Sequence, residues 1–204
     1  MRMVSDSSQT KRRVPQRAHG ERRVASLLDV AAAVFAERGY DAATMTEVAE
    51  RAGVSIGAVY QYFPNKQALA HALRVQYANE MDASWSTLET AAEGLSVAEL
   101  VERIFDLLIE FMQAHPAYIP LLSAPVAYAR DPAARDRLRE RFAKVFRQHH
   151  PALSAEEAKR IANVTLQVVK GLNPLYADAK PRERRELVAE FKKVVTAYLS
   201  TRLA

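Results

Sequence analysis

Apolar side chains recur at intervals of three and four residues along most of the chain, and this spacing is typical of amphipathic helices. The first such run occupies Val24, Leu27, Leu28, Ala31, Val34 and Phe35. The 204 residues include only 6 glycines and 9 prolines, too few for the many tight turns of a β-sandwich, and no segment has a convincing strand pattern. The sequence therefore predicts an all-α protein of about nine helices.

Capping residues and helix breakers set the predicted boundaries. Thr44 with Glu47, and Ser96 with Glu99, match the capping box, while Gly39 can end a helix with a positive φ. The predicted helices run from Arg22 to about Gly39, Thr44 to Gly53, Ser55 to Tyr62, Lys66 to about Ala92, Ser96 to about His115, Asp131 to His150, Ser154 to about Ala179 and Pro181 to the C terminus, with short or kinked helix within 117–129.

Composition excludes several classes of protein. The chain has no cysteine, which rules out disulfide scaffolds, Cys-ligated zinc, iron–sulfur clusters and thiol nucleophiles. No apolar run approaches the roughly 20 residues of a membrane span, and the first twenty residues lack the apolar region of a secretory signal. We therefore expect a cytoplasmic protein with no membrane partner.

Catalytic and metal sites have little support in the sequence. No Glu-x-x-His pair suggests a di-iron bundle, and no Ser/His/Asp set is supported beyond residue type. His149 and His150 are adjacent on a helix and point about 100° apart, so they are poorly placed to share one ion. We expect no catalytic residues, no metal, no cofactor and no enzyme activity.

Positive charge is concentrated at the amino end. Residues 1–23 carry seven Lys or Arg against two Asp or Glu, whereas the rest of the chain carries 22 of each. Residues 1–20 lack helical periodicity and are interpreted as a flexible basic arm. Such an arm either contacts a polyanion or is a solvated leader.

Residues 44–63 carry the strongest functional signal. Two short helices meet around Ala49, Gly53 and Val59, which supply a small residue at the helix crossing, a turn residue able to adopt positive φ and an inward anchor. The second helix presents a slim outward face without an acidic residue, so it can enter a DNA major groove roughly 12 Å wide without charge repulsion. The pattern predicts a helix-turn-helix.

The same region resembles the amino-terminal domain of the TetR family of transcriptional regulators. The matching residues within 22–69 are Gly39, Tyr40, Thr44, Val48, Ala49, Ala52, Gly53, Val54, Ser55, Gly57, Tyr60, Tyr62, Phe63, Lys66 and Leu69. The resemblance implies a TetR-like fold, with the arm at 1–20, a helix-turn-helix DNA-binding domain at 21–66 and a helical ligand-binding and dimerisation domain at 67–204.

The resemblance also implies which residues meet double-stranded DNA. Members of that family often use basic extensions before the first helix to contact the backbone or the minor groove, and Arg12, Arg13 and Arg17 are placed to do so. Thr44, Ser55, Tyr60, Tyr62 and Lys66 match phosphate-contacting positions, and Thr46 matches a residue that approaches a base. Base reading then falls to Ile56, Gly57, Ala58 and Gln61. Gln61 is the leading candidate because its amide can pair with adenine through two hydrogen bonds. Ile56 departs from the polar residue common at its position, so contact with a thymine methyl and a packing role both remain open.

Bulky residues and breaks in the middle helices favour an apolar cavity. Three prolines between 116 and 125 disturb regular packing, and a bundle broken in this way can leave a pocket. The predicted lining residues are Trp85, Phe105, Leu108, Phe111, Met112, Tyr118, Leu122 and Tyr128. Ordinary core packing is the alternative for each of them.

The last two predicted helices are the candidates for a homodimer interface. Two such helices from each of two chains would form a four-helix contact. The predicted interface residues are Ile161, Thr165, Val168, Leu172, Phe191, Val194, Val195 and Tyr198, although either stripe could equally face the chain's own core.

Taken with the resemblance, these observations predict a ligand-responsive regulator, most simply a repressor. It would bind a palindromic operator as a homodimer and be released by a small, largely apolar or aromatic effector. The alternative is a ligand-independent architectural or activating DNA-binding protein, which the absence of a cavity would favour.

Overall fold

The computed structural model describes residues 16–92, 94–122, 124 and 132–203, which form nine helices and no strand. They are α1 (Gln16–Ala42), α2 (Met45–Arg51), α3 (Ile56–Tyr60), α4 (Lys66–Ala91), α5 (Val97–Ala114), α6 (Tyr118–Leu122), α7 (Pro132–His149), α8 (Ala155–Asp178) and α9 (Pro181–Leu203). The all-α prediction is confirmed. No helix in these ranges is both long enough and apolar enough to cross a membrane.

A first core forms where α1, α2, α3 and the start of α4 meet. Its fully buried side chains include Leu27 and Phe35 from α1, Val48 from α2, Val59 from α3 and Leu69 from α4. These are the inward positions that the helical spacing predicts. Their burial fixes the two short helices, which are too short to be stable alone.

A second core joins the middle and last helices. Trp85 and Leu88 of α4 pack with the apolar faces of α5, α7, α8 and α9. Edge-on aromatic contacts run from Trp85 to Phe142, with ring centroids 5.2 Å apart, and from Phe142 to Phe146 at 6.0 Å. The aromatic residues thus bind α4 to α7.

Helices α4 and α6 connect the two cores. Tyr77 of α4 and Leu121 of α6 are buried in the first core, although both helices also border the second. Met81 and Tyr118 are partly buried and pack against both cores. A shift of α4 or α6 would therefore change the packing of both cores.

Several predicted helix ends are confirmed. Gly39, at φ 74°, interrupts α1, and Gly53 has a φ of 64°. At the start of α5, the Ser96 hydroxyl accepts from the Glu99 backbone N–H, while the Glu99 carboxylate accepts from the Ser96 backbone N–H at 2.8 Å. Asp131 lies outside the described residues, and α7 begins at Pro132.

Other predicted boundaries are wrong. Helix α1 begins at Gln16, not near Arg22, so the end of the predicted arm is helical; Gln, Arg and Ala are good helix formers there. Helix α3 ends at Tyr60, two residues before the predicted Tyr62. The capping box at Thr44 is only half formed, because the Glu47 carboxylate binds Arg38 and Arg51.

Candidate nucleic-acid interface and cavity

Two capping hydroxyls shape the helix-turn-helix. Thr44 Oγ1 accepts from the Glu47 N–H at 3.1 Å and begins α2, and Ser55 Oγ accepts from the Ala58 N–H at 3.2 Å and begins α3. Gly53 turns the chain between these helices with its positive φ. Both caps lie where the sequence places them, and both hydroxyls are on the exposed surface.

The outward face of α3 and the turn after it is exposed and uncharged. Ile56, Tyr60 and Tyr62 keep 38%, 49% and 39% of their surfaces exposed. Ser55, Gly57 and Gln61 are also exposed, as is Thr46 on α2, and Ala58 is partly buried. Ile56 is therefore not a core residue, which favours a contact role over packing. The predicted base-reading residues of α3 and of the turn after it are thus exposed, except for Ala58, which is partly exposed.

Lys66 has a second role that the sequence did not reveal. Its ammonium donates hydrogen bonds to the backbone carbonyls of Tyr40 and Asp41, both at 2.8 Å, and lies 4.6 Å from the centroid of the Tyr40 ring. An ammonium has three donors, so one remains for a phosphate. Lys66 thus joins the start of α4 to the end of α1.

Another unpredicted feature is an ion-pair network beside the helix-turn-helix. Arg51 on α2 donates to Glu37 of α1 at 2.7 Å and to Glu47 at 2.8 Å, and Arg38 binds Glu47 at 3.2 Å. The hydrogen bond from Arg51 lowers the pKa of the Glu37 carboxyl. The spacing of Glu47 and Arg51, four apart on one helix, was the available signal. The network aligns α2 with α1.

Of the predicted DNA contacts in the basic arm, Arg12 and Arg13 lie outside the described residues.

A cavity of about 350 Å³ lies among α4, α6, α7 and α8. Of the predicted lining residues, Trp85, Tyr118 and Leu122 line it. Phe105, Leu108, Phe111 and Met112 are not among its lining residues; they are buried in the cores, where the inner face of α5 packs against its neighbours. Tyr128 lies outside the described residues.

The cavity also has walls that sequence reasoning missed. Helix α4 contributes Val75, Tyr77 and Met81, and α7 contributes Arg135 and Arg137. Basic and acidic side chains alternate along this part of α7, which is typical of a solvated face, so the sequence alone does not indicate a cavity wall. The place of these arginines in the lining follows from the packing of α7 beside α4.

One contact links the cavity wall to α5. His115, the C-cap of α5, places Nε2 3.0 Å from Glu80 Oε2 on α4. Its ring lies 4.7 Å from that of Tyr77 and 4.3 Å from that of Phe111, measured between centroids. This cluster holds α4, α5 and α6 together immediately beside the cavity. Among the described residues, no group of His, Asp and Glu side chains is arranged to hold a metal ion.

The residues predicted for the dimer interface are divided between the core and the surface. Ile161, Thr165, Leu172 and Val195 are buried in the chain's own core. Apolar residues cover more than one face of α8, so the spacing alone did not show which face points inward. Val168, Phe191 and Tyr198 are partly buried, and Val194 is exposed. The accessible apolar residues on these helices are Val164, Leu175 and Val194, at 39%, 48% and 54% exposure.

A helix-turn-helix with an exposed, acid-free second helix, joined by one long helix to a second helical core, defines a class of DNA-binding regulators. Two family models match the chain: "Bacterial regulatory proteins, tetR family" over residues 27–73 and "Tetracyclin repressor-like, C-terminal domain" over residues 96–199. The second match alone spans half of the chain. The protein belongs to the TetR family of transcriptional regulators, which are DNA-binding proteins and not enzymes.

Individual relatives match only part of the chain. It is 39% identical over 77 residues to the A-factor receptor protein of Streptomyces griseus, covering 38% of this chain and 25% of that protein. It is 26% identical over 102 residues to the HTH-type transcriptional repressor KstR2 of Rhodococcus jostii, covering 50% and 49%. The aligned regions thus span between a quarter and a half of these relatives.

A solved structure matches almost the whole fold. A TetR-family transcriptional regulator from Streptomyces coelicolor has a TM-score of 0.65 to this chain at 23% identity, covering 89% of this chain and 99% of that one. At this identity the likeness establishes the fold. The TetR-like architecture predicted from residues 22–69 is confirmed over the 89% of the chain that this match covers.

Proposed function

We propose that the protein is a homodimeric, effector-responsive repressor that binds a palindromic operator and leaves it when a small, largely apolar or aromatic molecule occupies the cavity. It acts in the cytoplasm and requires no cofactor. The observation that carries the proposal is the position of α4, which begins at Lys66 beside the recognition surface and reaches Trp85 in the cavity wall. One helix of 26 residues, about 39 Å long, joins the two sites.

Helix α6 gives the effector a second route to the DNA-binding domain. Tyr118 and Leu122 line the cavity, while Leu121 between them is buried in the core that contains α1 and α2. An effector that displaces α6 therefore disturbs the packing beneath the helix-turn-helix. A coupling of about 1–3 kcal/mol between the two sites corresponds to a 5–150-fold weakening of operator binding.

Exposed apolar side chains on α8 and α9 support the homodimer. Val164 and Leu175 lie 11 residues apart on α8, about three turns, and so share a face. Val194 adds the most exposed apolar side chain of α9. Two copies meeting through these faces would form a four-helix contact and place two recognition helices on one duplex, roughly 34–36 Å apart.

The distribution of exposed large apolar side chains favours separate surfaces for DNA, the effector and a second chain. Seven occur among the described residues: Ile56, Tyr60, Tyr62, Val75, Val164, Leu175 and Val194. Three belong to the DNA surface, Val75 lines the cavity and three belong to the proposed dimer face. Clustered apolar exposure is typical of interaction sites. The cavity weighs against the ligand-independent alternative.

Binding to the DNA that flanks the protein's own gene tests the proposal. We expect footprinting to protect a palindrome and anisotropy to show an affinity that falls steeply with salt, because phosphate contacts release counterions. The palindrome should be occupied by two chains. Weak binding that is indifferent to sequence would contradict the operator proposal, and operator affinity unchanged by every bound effector would contradict its effector-response part.

A further inference from the structure

The lining of the cavity contains more cationic than anionic side chains. Among its described residues, Arg74, Arg135, Arg137, Arg139 and Lys170 are cationic at neutral pH, and Asp82 is the one carboxylate. Asp82 pairs with Arg141, its Oδ2 lying 3.3 Å from that guanidinium, and Arg74 and Lys170 have contacts of their own. The charge that a ligand could meet therefore depends on the arginines of α7.

Two of these arginines have no carboxylate of their own. Arg139 is occupied by Asp136 at 2.7 Å and by the Asn163 side-chain oxygen at 3.1 Å. Within the described parts of the chain, no carboxylate lies within ion-pair distance of Arg135 or Arg137. Both side chains are exposed on the first turns of α7. Their guanidinium groups are available to an anion.

Other lining residues are apolar and shielded from solvent. Trp85 and Leu166 are buried, and Met81, Tyr118 and Leu138 pack partly buried around them. The lining thus combines exposed cationic side chains with buried apolar ones. At about 350 Å³ the cavity is near the small end of the range of ligand pockets, about 300–1,000 Å³.

We propose that the effector is an amphiphilic organic anion, with an apolar body against Trp85 and a carboxylate or phosphate group at Arg135 or Arg137, each of which lines the cavity. This inference rests on the proposed function and adds the charge of the ligand to it. A single planar guanidinium matches the geometry of these oxyanions and can bind them through two parallel hydrogen bonds. A cationic ligand would be repelled by the same side chains.

The only tryptophan of the chain provides a direct binding signal. Trp85 lines the cavity, so its fluorescence reports occupancy without DNA. The full-length protein is titrated with decanoate, 1-decanol and decyltrimethylammonium, and with 4-phenylbutanoate and 4-phenylbutanol as a second scaffold. We expect each acid to bind about tenfold or more tightly than its alcohol, equivalent to about 1.4 kcal/mol, and the cation to bind most weakly. Decyl phosphate in place of decanoate shows which of the two head groups binds more tightly.

Charge-neutralising variants locate the anion site. In an Arg135→Gln/Arg137→Gln double variant, the acids should bind no more tightly than the alcohols, while binding of the alcohols is unchanged. The matched control is Arg103→Gln, an exposed arginine of α5 outside the cavity lining, which should keep the preference for acids. Thermal unfolding of each variant checks that the fold is retained.

The outcomes separate this inference from the proposed function. Alcohols or the cation binding as tightly as the acids, or a double variant that keeps the preference, would overturn the anionic ligand. A preference for acids together with unchanged operator affinity would support the anionic ligand and contradict effector-driven release. No fluorescence response to any probe on either scaffold would overturn the anionic ligand, whereas operator binding is judged separately by the footprint.

Discussion

The Lys66 ammonium donates a hydrogen bond to the backbone carbonyl of Tyr40 at 2.8 Å and lies 4.6 Å from the centroid of the same residue's ring. The contact spans 26 positions of sequence and joins the first residue of α4 to the last part of α1. The side chain that the family resemblance assigns to a phosphate is therefore also a structural tie. A movement of the start of α4 therefore either moves the end of α1 as well or breaks this contact.

Replacement of Lys66 should affect both stability and DNA binding. Lys66→Met keeps the aliphatic stem but leaves the two carbonyls without their charged donor, so we expect the free energy of unfolding to fall by about 1–3 kcal/mol. If the ammonium also meets a phosphate, the slope of log affinity against log salt should decrease in magnitude by about one per contact. Denaturant unfolding and salt titrations of operator binding measure the two effects.

Lys180→Met is the matched control for Lys66→Met. Lys180 is exposed and lies just before α9, so its loss should change neither measurement. Unchanged stability in Lys66→Met would show that the carbonyl contacts contribute nothing, and an unchanged salt slope would remove Lys66 from the DNA contacts.

Gln61 and Tyr60 should differ in what they contribute to DNA binding. Gln61→Ala should cost about 1–3 kcal/mol on the operator and much less on an operator in which the contacted A·T pair is replaced. Tyr60→Phe removes one hydroxyl, so its effect should be equal for all sequences, because phosphate contacts do not specify bases. Anisotropy against single-substitution operators separates the two. A uniform loss in Gln61→Ala would contradict base reading.

The helix-turn-helix could be predicted from sequence because its signals are local. Thr44 and Ser55 each cap a helix through an N–H three residues away, and Gly53 adopts a positive φ within a tight turn. Such contacts depend on the neighbouring chain and little on the rest of the fold. The exposed positions of Gln61 and Tyr60 follow from the same short helix.

The cavity and the dimer face depend on how whole helices are placed. Ile161 and Val164 are both apolar and only three residues apart, yet one is fully buried and the other is exposed. The wide apolar surface of α8 cannot indicate which part faces its own core. Arg135 and Arg137 line the cavity because α7 packs beside α4. Neither placement is encoded in spacing along one helix.

The two complete capping boxes predict a pH dependence of stability. Hydrogen bonds from Ser96 and Ser154 lower the pKa of Glu99 and of Glu157 below the ordinary value of 4.5. A carboxyl whose pKa is lower in the folded than in the unfolded protein contributes its full stabilisation at pH values above the unfolded-state pKa. This stabilisation is lost as the pH falls through the folded-state pKa. The free energy of unfolding should therefore decrease as the pH is lowered below about 4.5.

Glutamine replacements isolate this contribution. A Glu99→Gln/Glu157→Gln variant keeps a capping acceptor but has no carboxyl to protonate at these two positions. Its free energy of unfolding should therefore fall less steeply between about pH 5.5 and about pH 3, a range that includes the ordinary glutamate pKa of 4.5. Glu50→Gln supplies the control, because Glu50 is exposed and only its backbone carbonyl, not its carboxylate, takes part in the cap of α2. Equal slopes in the double variant and the unmodified protein would contradict the assignment.

Adjacent valines on α9 distinguish the dimer face from the core. Val194 is 54% exposed and Val195 is 1% exposed, so we expect opposite results from changing them. Val194→Lys places a charge in the proposed interface and should shift the protein from dimer to monomer in sedimentation, with little change in the stability of each chain. Val195→Ala should lower the free energy of unfolding by roughly 0.5–3 kcal/mol and leave a dimer at the same concentration. A dimer that survives Val194→Lys but dissociates in Val195→Ala would restore the interface predicted from sequence and remove the exposed stripe from it.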